Sequence, residues 1–414
     1  MLLLGRRSPL AEMPGCWQEK SGILEWENTN IMIAAAWVGS ASLLIWVYLF
    51  TGRGRFWQVP NAVNEPKVLL MSSPRVAVVV PARNEADVVG QAVRSLLEQD
   101  YSGQVQIFVV DDHSSDETAN VARRAASDKA EQLTISVAMS LPAGWTGKMW
   151  ALSQGVQQAT QFAPDYFLFT DADIVHASDS ITSLVARAQR DNLDLISMMA
   201  RLRCSSLAER ALIPAFVFFF FMLYPPEWVS SPTHRTAAAA GGCILVRAEA
   251  LARIGGIAAI RNELIDDCAL GREIKRNGRV WLGLTQHTHS IRGYDGFGGV
   301  GHMISRTAFY QLRHSGWLLM ATVLGMAITF LGPPVLVCFG GWAALWGGAA
   351  WLMMSTAFWP TLRFYSGSPL WAPLLPVIAM FYTGATVHSA VRYWLGHGGE
   401  WKGRFQDAKT HLAG

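Results

Sequence analysis

Charge is what this sequence has least of: Asp, Glu, Lys and Arg make up 16% of its 414 residues, against about 25% in an ordinary soluble domain. The shortage is local, which predicts a soluble domain joined to membrane segments. Extended basic runs are also missing. A net charge of +3 is too small to argue for nucleic acid as a partner, and the basic excess reads as residues flanking membrane segments. Cysteine is sparse and scattered: Cys16, Cys204, Cys243, Cys268 and Cys338 show no C-x-x-C spacing. That argues against a structural zinc site or a disulfide framework and fits a reducing compartment, with the thiols buried and inert.

Long apolar stretches are abundant instead. Residues 31–50 carry no charge, close to the roughly 20 residues that cross a bilayer. The stretch is too long for a signal peptide, and no A-x-A-like cleavage site follows it. Arg53 and Arg55 follow it while Glu25 and Glu27 precede it, so the positive-inside bias places the chain after Phe50 in the cytoplasm. From Ser315 to Leu362 there is no Lys, Arg, Asp or Glu, room for two spans around Gly332-Pro333-Pro334 and Gly340-Gly341. Phe364 to Val391 offers a third. Three crossings would put the tail outside, yet Arg392, Lys402, Arg404 and Lys409 favour inside, which leaves two or three crossings open. The expected layout is a tail over 1–30, a span over 31–50, a cytoplasmic domain over 75–312, membrane segments within 315–393 and a basic tail over 394–414. Within the domain, the apolar core of a Phe-rich segment over 207–229, Ala211 to Pro226, is only sixteen residues long and contains Pro214, Pro225 and Pro226, too short to span comfortably. It is expected to lie in the membrane interface, the plainer alternative being a buried core helix.

The domain alternates short apolar runs with helical patterns. Strands are expected at Val76–Val80, Val105–Val110, Leu133–Val137 and Tyr166–Thr170, and helices at Asp87–Gln99, Asp116–Ala126, Met149–Ala159 and Ser178–Arg190. This alternation predicts an α/β fold with a mixed, mostly parallel sheet covered on both faces, whose ligands bind beyond the carboxyl ends of the strands. There the sequence places Pro81-Ala82-Arg83-Asn84-Glu85, then Asp111-Asp112-His113-Ser114-Ser115-Asp116-Glu117, then Asp171-Ala172-Asp173. Singly each has a bland explanation: Ser114 and Glu117 have the spacing of a capping box, and an isolated Asp is often a turn residue. Gathered at three strand ends, the carboxylates would repel one another unless something positive sits among them. A divalent cation and the polar edge of a ligand are the natural partners.

These motifs resemble the family 2 glycosyltransferases, which have the GT-A fold. The resemblance covers about 75–310 and rests on V-V-V-P-A-R-N-E at 78–85, V-V-D-D-H-S-S-D-E-T at 109–118, T-D-A-D at 170–173 and D-D-C-A-L-G-R-E-I-K-R-N-G at 266–278. It implies that Pro81, Ala82, Arg83, Glu85 and Asp112 hold the donor's nucleoside, and that Asp171 and Asp173 form a D-x-D binding Mg²⁺ or Mn²⁺ on its diphosphate. Oxygen ligands suit either metal. Lys148, in G-W-T-G-K, is similar to the basic residue that members place near the diphosphate. Asp267 takes the place of the general base, with Asp266 where the family usually has Glu. Asp267 also opens a helical pattern that Gly278 would end as a C′ glycine. Gly241-Gly242-Cys243 resembles the small-residue stretch facing donor and acceptor. Processive members carry Q-x-x-R-W after the base; here Met303-Ile304-Ser305-Arg306-Thr307 keeps only Arg306, which disfavours a polymerising synthase. Gly296 to Gly301 imitates a dinucleotide fingerprint without its strand–turn–helix context and reads as a flexible loop. His287-x-His289 lacks a third metal ligand and reads as structural.

The whole layout, including L-P-A-G-W-T-G-K at 141–148 and the Phe run at 216–221, resembles the hopene-associated membrane glycosyltransferases of bacterial hopanoid gene clusters. That implies an integral protein of the bacterial inner membrane that moves one sugar, with inversion, from a nucleotide-diphosphate donor to a hydroxyl of a membrane lipid in hopanoid biosynthesis. A polyprenyl-phosphate hexosyltransferase is the near alternative. A transport protein is disfavoured by spans without Asp, Glu, Lys or Arg, and a non-catalytic donor-binding subunit by the intact Asp112, Asp171, Asp173 and Asp267.

Overall fold

The computed structural model describes residues 15–59 and 70–396, Gly398, and the short segments 400–401 and 404–405. The first 14 residues and most of the basic tail expected over 394–414 lie outside the described residues.

Helix α1 (Gly15–Thr51) leads into a sheet domain. Its first half alternates as expected: β1 (Val76–Ala82), α2 (Val89–Leu97), β2 (Val105–Asp111), α3 (Thr118–Ala126), β3 (Leu133–Val137), α4 (Gly147–Ala159), β4 (Tyr166–Thr170), β5 (Ile174–His176) and α5 (Ser180–Arg190). Then come β6 (Leu195–Arg201), α6 (Leu207–Leu223), α7 (Pro226–Ser230), β7 (Cys243–Arg247), α8 (Ala248–Arg253), α9 (Asp266–Lys275), β8 (Val280–Ser290), α10 (Gly296–Ser305) and α11 (Ala308–Gln311). The C-terminal helices are α12 (Gly316–Met326), α13 (Gly332–Val337), α14 (Gly341–Phe364) and α15 (Leu375–Trp394).

The eight strands run in the order β3-β2-β1-β4-β7-β6-β8-β5. β1 pairs in parallel with β2 and β4, and β6 with β8, while β7 is antiparallel to both its neighbours. β1 is buried along its whole length, as a strand covered on both faces must be, so it reads as a continuous apolar run. The register Ala82↔Asp111 and Val79↔Phe169 brings the carboxyl ends of β1, β2 and β4 to one edge. α4 packs so closely on that sheet that a Cβ at Gly155 would stand 2.3 Å from Val79 Cγ1; no other residue fits there without displacing the strand.

The apolar helices pack against one another and the domain. Thr29–Thr51 and Gly316–Val337 are long and apolar enough to cross a membrane; α14 and α15 are 24 and 20 residues long. Pro333 has no N–H to offer the carbonyl four residues back. That carbonyl, on Thr329, accepts instead from the buried Trp46 indole at 2.8 Å, and Ser42 donates to Ile328 O at 2.9 Å. α6 begins with a capping box between Ser206 and Glu209. Its Phe218 packs on Phe56 and Phe358, and Phe219 on Phe330 and Tyr382, so this helix joins the apolar helices to the sheet domain. Arg53 closes its far end by donating to the carbonyls of Met222 and Leu223.

Three local expectations are corrected. Ser114 and Glu117 do not form a capping box: Ser114 turns to the Asp111 carboxylate, Glu117 is itself the N-cap residue of α3, and Asp116 just ahead of it accepts from the Thr118 N–H at 3.0 Å. α9 ends at Lys275, and Gly278 is not its left-handed C′ residue. The glycine is there because Asp194 Oδ2 would lie 2.6 Å from any Cβ. Finally, Gly296 to Gly301 is the first half of α10, not a loop. Gly301 lets the helix come up against the Phe381 ring, while Gly296 and Gly298 face open space; burial of Val300 and Ile304 offsets the glycines' poor helix propensity.

Candidate active site

The two loops after β1 and β2 are tied together. Asn84 and His113 both adopt positive φ, 51° and 52°. The Asn84 carboxamide accepts from Ser115 N–H at 2.8 Å, Asn84 N–H donates to Ser114 at 2.9 Å, and Glu85 N–H donates to Thr118 at 2.8 Å. Arg83 donates to the Asp112 carbonyl, and its guanidinium lies 3.6 Å from the buried Asp112 carboxylate. Pro81 lines the adjoining cleft, and Ala82 is buried in the strand beneath.

The centre of that cleft, about 330 Å³ with its open mouth, is lined by Pro81, Lys148, Asp171, Gly241, Asp266 and Asp267 among others. Thr146 caps α4 by accepting from Met149 N–H, which presents Lys148 in the first turn. Its ammonium reaches Asp171 at 3.0 Å and Asp266 at 3.2 Å, bridging the end of β4 to the start of α9. Burial alone would favour the neutral amine, but Asp171, Asp266 and Asp267 outweigh it and raise the Lys148 pKa. Asp267 accepts from Gly241 N–H at 2.8 Å and from Cys268 N–H at 2.7 Å. Its carboxyl is pushed up to about 6 by burial first and Asp266 second, against the pull of Lys148 and the two N–H donors. A carboxylate so placed has one lone pair left on each oxygen and a proton affinity suited to general-base work near neutral pH.

Asp173 lies deeper. Its Oδ2 accepts from Ser290 at 2.7 Å and from Arg292 Nε at 3.1 Å, while the other arm of Arg292 clasps both oxygens of Glu85 at 2.7 and 2.6 Å. Sequence reasoning missed Arg292. It sits just past β8, so the strand-end rule that found the carboxylates was the signal available for it.

The six acids Glu85, Asp112, Asp171, Asp173, Asp266 and Asp267 gather, among the described residues, with three bases, Arg83, Lys148 and Arg292. Among the described residues, no group of three His, Cys, Asp or Glu closes round one point as a protein-only metal cage would. An acidic surplus of hard oxygen donors without a complete cage fits Mg²⁺ or Mn²⁺, which keep positions for substrate phosphate and water.

Two expected site residues lie elsewhere. Gly242 backs the site without facing it: its carbonyl accepts from Thr170, and a Cβ would meet Ala200 and Ile174. Arg306 does not line this cleft but a second one beyond α10. His287 pairs with Asp179 at 3.2 Å, in keeping with a structural role.

His176 lies beneath the site. The Thr170 hydroxyl donates to Gly242 O, so it accepts from His176 Nε2–H at 2.9 Å, leaving Nδ1 buried and bare. Burial, with His289 nearby, lowers this histidine to about 4. The unfolded chain therefore takes up a proton near pH 6.5 that the folded one refuses. Stability should fall by about 3 kcal/mol as pH drops from 6.5 towards 4. Denaturant titrations of wild type and His176→Gln at several pH values check this; the difference between the two should shrink as pH falls.

A mixed sheet of this order, with carboxylates and a lysine gathered at its strand ends, defines a GT-A-type glycosyltransferase. The chain belongs to the glycosyltransferase like family 2, whose family model matches residues 74–283. It is 35% identical over 137 residues to an N-acetylglucosaminyltransferase of Rhizobium leguminosarum bv. viciae, covering 33% of this chain and 30% of that protein. It is 30% identical over 124 residues to the 4,4'-diaponeurosporenoate glycosyltransferase of Staphylococcus aureus, covering 30% of each. The chain thus spans about a third of the length of the curated relatives it matches. Among solved structures, it resembles the mannosyltransferase PcManGT from Pyrobaculum calidifontis, in complex with GDP-Man and Mn²⁺. The TM-score is 0.54 at 18% identity over 87% of this chain and 99% of that one, a likeness of fold.

Proposed function

We propose that this glycosyltransferase moves a single sugar, with inversion, from a nucleotide-diphosphate donor to a hydroxyl of a membrane lipid, at the cytoplasmic face of a bacterial inner membrane. The observation that carries the reading is the Lys148 bridge. One ammonium joins Asp171, on the donor side, to Asp266, the neighbour of the raised carboxyl of Asp267. With the diphosphate held by Lys148 and the D-x-D, and the acceptor hydroxyl on Asp267, one carboxylate serves as base and no second one is needed as nucleophile. That supports one in-line displacement, in which Asp267 takes the hydroxyl proton. Asp171 and Asp173 would hold the divalent cation, which supplies positive charge against the departing diphosphate. Pro81, Ala82, Arg83, Glu85 and Asp112 would hold the nucleoside. The helices Thr29–Thr51 and Gly316–Val337 support a membrane location, and 207–229 then lies where domain and bilayer meet.

A hopanoid hydroxyl is the acceptor we favour, from the resemblance in layout; a polyprenyl phosphate is the rival. The deciding experiment gives detergent-purified protein labelled nucleotide sugars with either a hopanoid polyol or a polyprenyl phosphate, and weighs the products. A product heavier than the hopanoid by one hexose or N-acetylhexosamine is expected. Labelling of the polyprenyl phosphate alone would overturn the hydroxyl acceptor.

A further inference from the structure

The second cleft, about 370 Å³ with its open mouth, is lined by Leu264, His302, Arg306, Tyr310, His314 and Arg392, with Phe309 and Tyr393 as its floor. Four basic side chains converge on it, and among the described residues no Asp or Glu lines it. The nearby Glu263 is taken by the Tyr310 hydroxyl at 2.6 Å and by Arg272 at 3.1 Å. Arg392, in the last turn of α15, lies 3.3 Å from His302 Nδ1. His314 is stacked on Tyr393 at 3.9 Å and 9°. It is held there by two successive residues with positive φ, Arg313 at 51° and His314 at 54°, a conformation that side chains with a Cβ adopt only at a cost.

The place of this cleft says what it meets. Ser315, next to His314, caps α12 and so starts the apolar stretch Gly316–Val337; α15 ends at Trp394, next to Tyr393. Trp317 and Trp394 stand 78% and 59% exposed, as indole rings do at the level of lipid headgroups. Basic side chains at that level pair with anionic headgroups through charge-assisted hydrogen bonds. Leu264 lines this cleft, and two residues on Asp266 and Asp267 line the other.

We propose that the cleft of Arg306, Arg392, His302 and His314 binds the phosphate of an anionic membrane lipid and seats it beside the catalytic cleft. This rests on the membrane placement proposed above. The test reconstitutes the full chain in nanodiscs of phosphatidylcholine with or without phosphatidylglycerol, then counts retained lipids by native mass spectrometry. Wild type should retain phosphatidylglycerol in preference to phosphatidylcholine. The double variant Arg392→Ala/His314→Ala should lose that preference at least about tenfold, the scale of one lost charge-assisted bond, while Arg392→Lys keeps most of it. Thermal unfolding of each variant confirms that it is folded. Equal retention by wild type and a folded double variant would overturn the site. Displacement of the lipid by inorganic phosphate alone would assign the cleft to a soluble phosphate instead. Failure of the wild type to retain either lipid would overturn the membrane placement itself.

Discussion

Asp267→Asn is expected to depress turnover at least about 10²-fold, the usual scale of general-base help, with donor affinity nearly unchanged. The wild-type carboxylate accepts one N–H on each oxygen, and an amide can accept only on its single oxygen. The variant therefore turns its NH₂ towards either Gly241 or Cys268 and loses about 1–2 kcal/mol of stability. That cost leaves donor binding in place, since Lys148 keeps both its partners, Asp171 and Asp266. Titration with the nucleotide separates the two effects: binding stays and turnover goes. Asp266→Asn removes only one of the two carboxylates that Lys148 touches and should cost far less turnover. The product's anomeric configuration is the companion measurement. Inversion needs one displacement, whereas retention by two displacements would need a second, nucleophilic group. A retained configuration, or a fully active Asp267→Asn enzyme, would remove Asp267 from its role.

The parts of this molecule that were legible beforehand share a physical reason. β1, β4 and the second half of β2 are buried apolar runs because the sheet is covered on both faces, so composition alone marks them; β3, at the sheet's edge, is half exposed and shows instead as the alternation Leu-Thr-Ile-Ser-Val. The second half is harder. β5 is only three residues long, too short for any periodicity. β8 runs out into Thr285-Gln286-His287-Thr288-His289-Ser290, a polar stretch in which Gln286, His287 and His289 are exposed, so neither an apolar run nor a clean alternation marks the strand end that delivers Arg292. The charge pairing of Arg292 with Asp173 and Glu85 spans 119 and 207 residues of sequence, which no local pattern records. α10 is hidden for the opposite reason: its glycines read as a loop, and the contacts of Gly299 with Tyr294 and of Gly301 with Phe381 leave no trace in that local pattern. Motif position alone points to Arg306, and the end of α10 puts it on the second cleft.

Chelation of divalent cations by EDTA is expected to abolish transfer, with Mn²⁺ or Mg²⁺ restoring it. The rival outcome is set by the cations already present. Lys148 and Arg292 sit among the same carboxylates, and if they sufficed to balance a diphosphate, activity would survive in EDTA. Charge counting argues that they do not suffice. With Arg83 they leave an excess of three acids, and a donor diphosphate would bring still more negative charge to the same place. Each added like charge a few ångströms away costs on the order of 1–4 kcal/mol at the dielectric of a protein surface, which a divalent cation offsets. Calorimetric titration with the nucleoside diphosphate, with and without Mn²⁺, gives a readout independent of turnover. Wild type should bind more tightly with the metal. Asp173→Ala should lose that metal-dependent gain while staying folded, because Arg292 keeps its bidentate hold on Glu85 and the two loops remain tied. Full activity in EDTA would leave the diphosphate to Lys148 and Arg292, and an unchanged gain in Asp173→Ala would take the metal off Asp173.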